Sequence, residues 1–171
     1  MNRFAIEHLE LQPADHVLEI GFGEVITLPA LISRAAFLGA IDWSPDVVKW
    51  AKKKFSGSIK AGRAEFREGS VEAIPFDAAA FDKVCTVNTI YFWRSLDAGF
   101  AEIQRVLTPG GRVVVGFLPK EWMDRLEYPP DIFASRAPND VTAALITIGF
   151  KEVRVERPKP TTPWNVIVAT R

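Results

Sequence analysis

Short runs rich in Val, Ile and Leu recur along the chain, separated by longer stretches whose apolar residues fall at helical spacing. The first pattern predicts strands and the second helices. His16, Val17, Leu18, Glu19 and Ile20 read as a first strand, with the sequence GFG directly after it at 21–23. Pro29 suits a first helical turn, where its missing N–H is not needed, so the next helix is predicted to begin near 26–28 and run to 36. A second strand, 37–41, ends at Asp42. Ser44, Pro45 and Asp46 then supply a cap, a first-turn proline and an acid near the positive helix end, which predicts a helix to about Phe55.

A weakly patterned third strand covers 64–68 and a stronger fourth covers 81–87. Leu96, Phe100, Ile103 and Leu107 share one helix face, and that helix is expected to stop at a turn enforced by Thr108, Pro109, Gly110 and Gly111. Residues 112–117 are apolar enough for a fifth strand buried on both faces. The stretch 118–138 carries Pro119, Pro129, Pro130 and Pro138 with Trp122, Tyr128 and Phe133, and reads as an irregular, lid-like insertion. A last helix, 140–148, closes at Gly149. Strands at 151–157 and 165–170 follow, joined by PKPTTPW, too short for a helical crossover, so this pair must be antiparallel.

Strands alternating with helices predict an α/β fold, with a mostly parallel sheet covered on both faces and ligands at the carboxyl ends of its strands. Four groups occupy those ends: Glu19 to Gly23, Asp42 with Trp43, Ser70 with Val71 and Glu72, and Asn88 to Trp93. Gly21 and Gly23 let backbone approach a ligand, although glycine after a strand is also ordinary turn chemistry. Asp42 stands 19 residues after Gly23, where a carboxylate can accept from both hydroxyls of a ribose; helix capping, its other use, is already supplied by Ser44. Trp43 can cover an adenine face or fill core, and Glu72 can meet an adenine edge or stay solvated.

Composition narrows the partners. The 171 residues suit one domain, with a short helical segment over 1–14 ahead of the sheet. Lys plus Arg equals Asp plus Glu at 21 each, and no basic run exceeds Lys52, Lys53 and Lys54, so no nucleic-acid partner is implied. The one cysteine, Cys85, lies in an apolar strand and reads as a buried hydrophobe in a reducing compartment. The charged N-terminal stretch lacks a signal-peptide core, and no segment reaches the roughly 20 apolar residues of a membrane helix, so a cytoplasmic location is expected. No metal-ligand cluster stands out, and His8 and His16, the only histidines, read as surface or structural residues rather than general bases.

At VLEIGFG (17–23), GAIDWSPDVV (39–48), IPFDAAAFDKVCTVNTIYFW (74–93) and RVLTPGGRVVVGF (105–117) the chain resembles the class I S-adenosylmethionine-dependent methyltransferases, and within them the small-molecule group with the ubiquinone-biosynthesis-type enzymes. The resemblance implies a Rossmann-like, seven-stranded, mostly parallel sheet with helices on both faces and an antiparallel C-terminal strand pair. It implies S-adenosyl-L-methionine as cofactor, S-adenosyl-L-homocysteine as product and a small-molecule acceptor. By position, Glu19 would help hold the methionine amino group, with Gly21 and Gly23 against the cofactor. Asp42 would take the ribose hydroxyls, Trp43 would lie against adenine, and Ser70, Val71 and Glu72 would surround the adenine edge. Asn88 would face the methionine end, with Asn88, Tyr91 and Trp93 as acceptor-pocket candidates.

The chain departs from the family where a third glycine and a small residue or proline are usual: it has Val25 and Glu24. Val25 is therefore expected to crowd the cofactor, and Glu24 to place negative charge near the cofactor carboxylate. Two other readings stay in view: a non-catalytic or weakly binding member of the same fold, and an NAD(P)-dependent oxidoreductase, whose third glycine would have to fall at Ile26.

Overall fold

A computed structural model describes residues 1–126, 128, 129 and 131–171; Pro130, one of the prolines of the insertion, lies outside the described residues. Seven strands form one sheet: β1 (His16–Ile20), β2 (Phe37–Asp42), β3 (Ala64–Glu68), β4 (Phe81–Val87), β5 (Leu107–Phe117), β6 (Lys151–Glu156) and β7 (Asn165–Thr170). Their spatial order is β3-β2-β1-β4-β5-β7-β6, with β7 antiparallel to both neighbours and the other pairs parallel. The strand order reverses between β1 and β4, so the crevice of the sheet opens beyond Ile20, Asp42 and Val87.

Helices cover both faces: α1 (Asn2–His8), α2 (Leu28–Arg34), α3 (Pro45–Lys54) and α4 (Ser56–Lys60) in the first half, α5 (Leu96–Val106), α6 (Lys120–Met123) and α7 (Pro138–Ile148) in the second. Alternation along the strands divides the core in two. Leu18, Val84, Val113, Val115, Phe117 and Ile167 point to the face filled by Phe100, Ile103 and Val106 of α5 and Val141 and Leu145 of α7. Val17, Cys85, Val114, Val166 and Val168 point to the face filled by Ala5 and Ile6 of α1, Leu28 and Leu31 of α2, and Val48 and Ala51 of α3. Deleting one of the fully buried large side chains, such as Phe100, would cost about 3–5 kcal/mol through lost burial and a residual cavity.

The capping chemistry read in the sequence holds at Ser44 and Gly149, and the structure adds a third cap at Ser95. Ser44 Oγ accepts from the Val47 N–H at α3, Ser95 Oγ accepts from the Ala98 N–H at α5, and Gly149 closes α7 with φ 102°. Three stretches differ from expectation. The turn expected at 108–111 is a bulge inside β5: Phe81 pairs with Leu107 but Lys83 with Arg112, so two steps along β4 face five along β5. Gly110 sits at φ 79°, and a Cβ on Gly111 would lie 2.8 Å from the Thr108 carbonyl, so paired glycines permit the bulge without ending the strand. The insertion at 118–138 is not wholly irregular, since it opens with α6 and a 3₁₀ turn, Asp124–Leu126. The helix after β2 continues past Lys54 into α4, which no apolar periodicity marked.

Candidate functional site

The sheet crevice is built from the carboxyl ends of β1, β2 and β4. Glu19, on β1, is buried, and its Oε1 accepts a hydrogen bond from the Thr27 hydroxyl just ahead of α2. Its Oε2 has no hydrogen-bond partner among the described residues. Burial pushes the Glu19 carboxyl up to about 7, against the opposing pull of the Thr27 hydroxyl. An acid held there invites a cationic donor, which would satisfy Oε2 and favour the ionised form.

Gly21 and Gly23 serve different ends. Gly21 has φ 70°, and a Cβ there would lie 2.4 Å from Thr89 Cγ2, so the first glycine answers to the protein's own β4 loop. At Gly23 nothing lies within 4 Å of where a side chain would begin. The second glycine thus faces open space, where backbone can meet a ligand.

Asp42 ties two loops together. Its Oδ2 accepts the Gly23 N–H at 2.9 Å and its Oδ1 the Ser44 N–H at 3.0 Å. Each carboxylate oxygen has two lone pairs, so one remains on each for incoming hydroxyls. Trp43, next to it, is 79% exposed, a large apolar ring with no core to fill. Ser70 is exposed and bridges to Ala73; Val71 is buried in the core; and Glu72 Oε1 accepts the Arg94 N–H at 2.8 Å. Glu72 therefore joins the β3 loop to the β4 loop. Glu24 is exposed at the rim of a shallow concavity of about 370 Å³, shared with Gly23, Asp46, Val47 and Trp50.

Val25 does not crowd the loop. It has φ 57°, its N–H donates to the Phe22 carbonyl at 2.6 Å, and its side chain packs into the core that contains Phe22, Leu28 and Leu31. A tight left-handed turn swings the residue at this position inward, which the glycine pattern alone could not disclose.

After β4, Asn88 is exposed at φ 59° and its Oδ1 accepts from the Tyr91 hydroxyl at 3.3 Å. Tyr91 is buried, its hydroxyl also accepts the Leu118 N–H at 2.6 Å, and burial pushes its pKa up to about 12, so it stays a neutral phenol. Trp93 is 4% exposed, edge-on to Phe100, with its indole N–H donating to Thr89 Oγ1 at 3.2 Å. The loop curls back and places Trp93 in the core, with Gly99 close beneath it.

Sequence reading missed Thr27, Thr86 and Thr89. A threonine just before a helix invites a cap reading, yet Thr27 makes no side-chain cap and serves Glu19 instead. Thr86 Oγ1 donates to the Ile20 carbonyl at 3.1 Å and also contacts Thr89 Oγ1, linking β1 to the β4 loop. These contacts join residues distant in sequence, and no local pattern announces them. The histidines stand apart: His8 Nδ1 meets the Phe4 carbonyl, and the His16 ring packs on Phe37 at the opposite edge of the sheet. Among the described residues, no group of three His, Cys, Asp or Glu could hold a metal ion, and no helix is long and apolar enough to cross a membrane.

Fold and site together define a doubly wound α/β protein with the strand order and loop chemistry of the class I methyltransferases. The family model described as "Methyltransferase domain" matches residues 18–115, and the chain belongs to that family, whose cofactor is S-adenosylmethionine. The chain is 30% identical over 123 residues to the uncharacterized methyltransferase YdaC of Bacillus subtilis, covering 71% of this chain and 66% of that protein. It is 32% identical over 116 residues to the ubiquinone/menaquinone biosynthesis C-methyltransferase UbiE of Geotalea daltonii, covering 66% of this chain and 49% of that one. The chain thus spans about half to two thirds of the length of these curated relatives. The solved structure of a SAM-dependent methyltransferase from Aquifex aeolicus superposes with a TM-score of 0.77 at 21% identity, covering 99% of this chain and 88% of that one.

Proposed function

We propose that this chain transfers a methyl group from S-adenosylmethionine to a small-molecule acceptor, acting in the cytoplasm. The unpartnered, buried Glu19 Oε2 carries this reading, because an ammonium such as that of the cofactor's methionine part is what would satisfy it. The open space at Gly23 and the free lone pairs of Asp42 fit the same group.

In this reading Glu19 holds the cofactor amine, Gly21 and Gly23 let backbone run close to it, Asp42 takes the ribose hydroxyls and Trp43 covers the adenine. Ser70, Val71 and Glu72 border the adenine edge, with Val71 contributing backbone because its side chain is in the core. When bound, S-adenosylmethionine supplies a methyl group already activated by its sulfonium, so alignment of the acceptor is the main demand on the protein. Asn88 and Tyr91 border the acceptor, with the neutral phenol fixing the Asn88 amide. Trp93 lies in the core and steadies the same loop through its hydrogen bond to Thr89. The 118–138 segment closes over the acceptor, and its aromatic contacts, Phe92 with Phe133 at 4.9 Å and Tyr128 with Phe133 at 4.7 Å, favour an apolar small molecule. The quinone-pathway name of the Geotalea daltonii relative supports the same substrate size.

Calorimetry with S-adenosylmethionine, S-adenosylhomocysteine and NAD tests the cofactor. Binding of the first two alone is expected; NAD binding would favour an oxidoreductase. Transfer of labelled methyl from the cofactor to a fractionated metabolite pool tests catalysis, and binding without transfer would leave a non-catalytic cofactor binder.

A further inference from the structure

The loop that follows β4, residues 88–93, is bonded to the end of β1 on one side and to both stems of the 118–138 segment on the other. On the β1 side, Thr86 Oγ1, at the end of β4, donates to the Ile20 carbonyl at 3.1 Å and contacts Thr89 Oγ1, which accepts the Trp93 indole N–H at 3.2 Å. Each hydroxyl carries one hydrogen, and an indole nitrogen only donates. The Thr86 hydrogen is spent on Ile20, so the Thr89 hydrogen points to Thr86. A one-way chain therefore runs from the Trp93 indole through Thr89 and Thr86 to the backbone of Ile20, the residue ahead of Gly21. The Thr89 methyl packs on Gly21 itself, where a Cβ would run into it.

On the other side, the Tyr91 hydroxyl accepts the Leu118 N–H at 2.6 Å and the Tyr91 carbonyl accepts the Ala134 N–H at 2.9 Å. The Trp93 carbonyl accepts from Arg136 Nη2 at 2.7 Å, and the Arg136 carbonyl accepts the Lys120 N–H at 2.8 Å, which joins the two stems to each other. Trp93 thus has its indole in the chain to β1 and its carbonyl on the segment. Thr86 is fully buried and Thr89 half-buried. Valine at either position would fill the same space with no polar group to satisfy, so what the hydroxyls add is a directed link rather than volume.

We propose that Thr89 is a positioning residue that couples the two halves of the site: its hydroxyl passes the ordering of the β1 loop by a bound cofactor to Trp93, and from there to the stems of the 118–138 segment. The inference rests on the cofactor part of the methyl-transfer reading. Glu19 Oε2 has no partner among the described residues and Gly23 borders open space, so the β1 loop is held incompletely by the protein alone. A cofactor that engages both fixes Ile20 and Gly21, and Thr89 and Trp93 lose freedom with them. An acceptor that binds beneath an ordered segment meets less of the ordering cost, so cofactor and acceptor strengthen each other's binding.

The test is amide hydrogen exchange, followed by NMR on the full chain, with and without saturating S-adenosylhomocysteine. The Leu118 and Ala134 amides report on the segment. The Phe150 amide, bonded to the Leu145 carbonyl at 3.0 Å beyond α7, is the reference for general stabilisation. In the parent protein the ligand is expected to slow Leu118 and Ala134 by about tenfold or more beyond its effect at Phe150. Thr89→Val should remove that excess while S-adenosylhomocysteine still binds, Thr86→Val should remove it from the other end of the chain, and Thr89→Ser, which restores the hydroxyl without the methyl, should keep it. Equal slowing at all three amides in the parent, an excess that survives in the valine variants, or its loss in Thr89→Ser as well as Thr89→Val overturns the proposal. The parent comparison decides against it even where a variant does not fold, and Thr86→Val stands in for Thr89→Val. Failure of S-adenosylhomocysteine to bind the parent is a different result, which removes the methyl-transfer reading and this inference with it.

Discussion

The Asp42 carboxylate accepts the Gly23 N–H at 2.9 Å across 19 residues of chain, so the acid at the end of β2 sets the position of the loop that follows β1. Binding of a ribose and shaping of the loop therefore run through one side chain. Asp42→Ala should weaken S-adenosylhomocysteine by about 1–3 kcal/mol, the loss of charge-assisted hydrogen bonds, and should also lower thermal stability. Calorimetry and a melting curve on the same variant check this; unchanged affinity would remove Asp42 from the cofactor site.

Glu19 makes stability depend on pH. Its carboxyl titrates near 7 in the folded protein and near 4.5 when unfolded, so between these values the folded state holds a proton that the unfolded state has lost. Stability should fall as pH rises from 4.5 to 7, by about 3 kcal/mol at most, and level off above 7. Chemical denaturation across this window should show the slope in the parent protein and lose it in Glu19→Gln.

The same group couples cofactor binding to proton release. An ammonium beside Oε2 favours the ionised acid, so S-adenosylhomocysteine affinity should rise with pH up to about 7, by up to about tenfold per pH unit, then flatten. Titrations in buffers of different ionisation enthalpy should detect up to one proton released near pH 6, and none in Glu19→Gln.

The two glycines should separate under substitution. Gly21→Ala meets Thr89 Cγ2 and a left-handed backbone, so it should destabilise the protein, and Thr89→Ser in the same chain should recover the part due to the clash. Gly23→Ala has room and should cost only about 1 kcal/mol of backbone strain, yet weaken the cofactor tenfold or more. Melting curves and calorimetry on the two variants distinguish these outcomes.

Val25→Gly sets two terms against each other. Releasing a branched residue from φ 57° gains about 1–3 kcal/mol, and losing its buried side chain costs about 1.5–3 kcal/mol. Stability should stay within about 1 kcal/mol of the parent, with cofactor affinity changed less than twofold. A tenfold gain in affinity would show that the side chain does reach the cofactor.

Glu19, Gly21 and Asp42 were legible as neighbours because parallel strands of similar length end side by side, here with Ile20 opposite Ile41. Asn88 followed from the same rule at β4. What stayed hidden depends on where the chain goes after a strand ends. Trp93 and Val71 turn into the core because their loops fold back over α5, and Val25 turns inward because a four-residue turn, Phe22 to Val25, reverses its direction. The partners Thr27 and Thr89 are short polar residues whose roles exist only once strand ends and loops meet. The bulge at 108–111 escaped notice because proline and paired glycines signal a break in direction without saying whether pairing resumes.

Because β7 runs against its neighbours, its first residue rather than its last reaches the ligand edge, and the PKPTTPW connection before it opens there too. The loops after β1, β2, β4 and β5 at that edge lead into helices that must stay packed. This one leads from strand to adjacent strand, so ahead of Trp164, which packs on the core beside Phe4, its length and composition can change while strand register stays as it is. The backward strand gives the scaffold a place where selectivity can drift independently of folding.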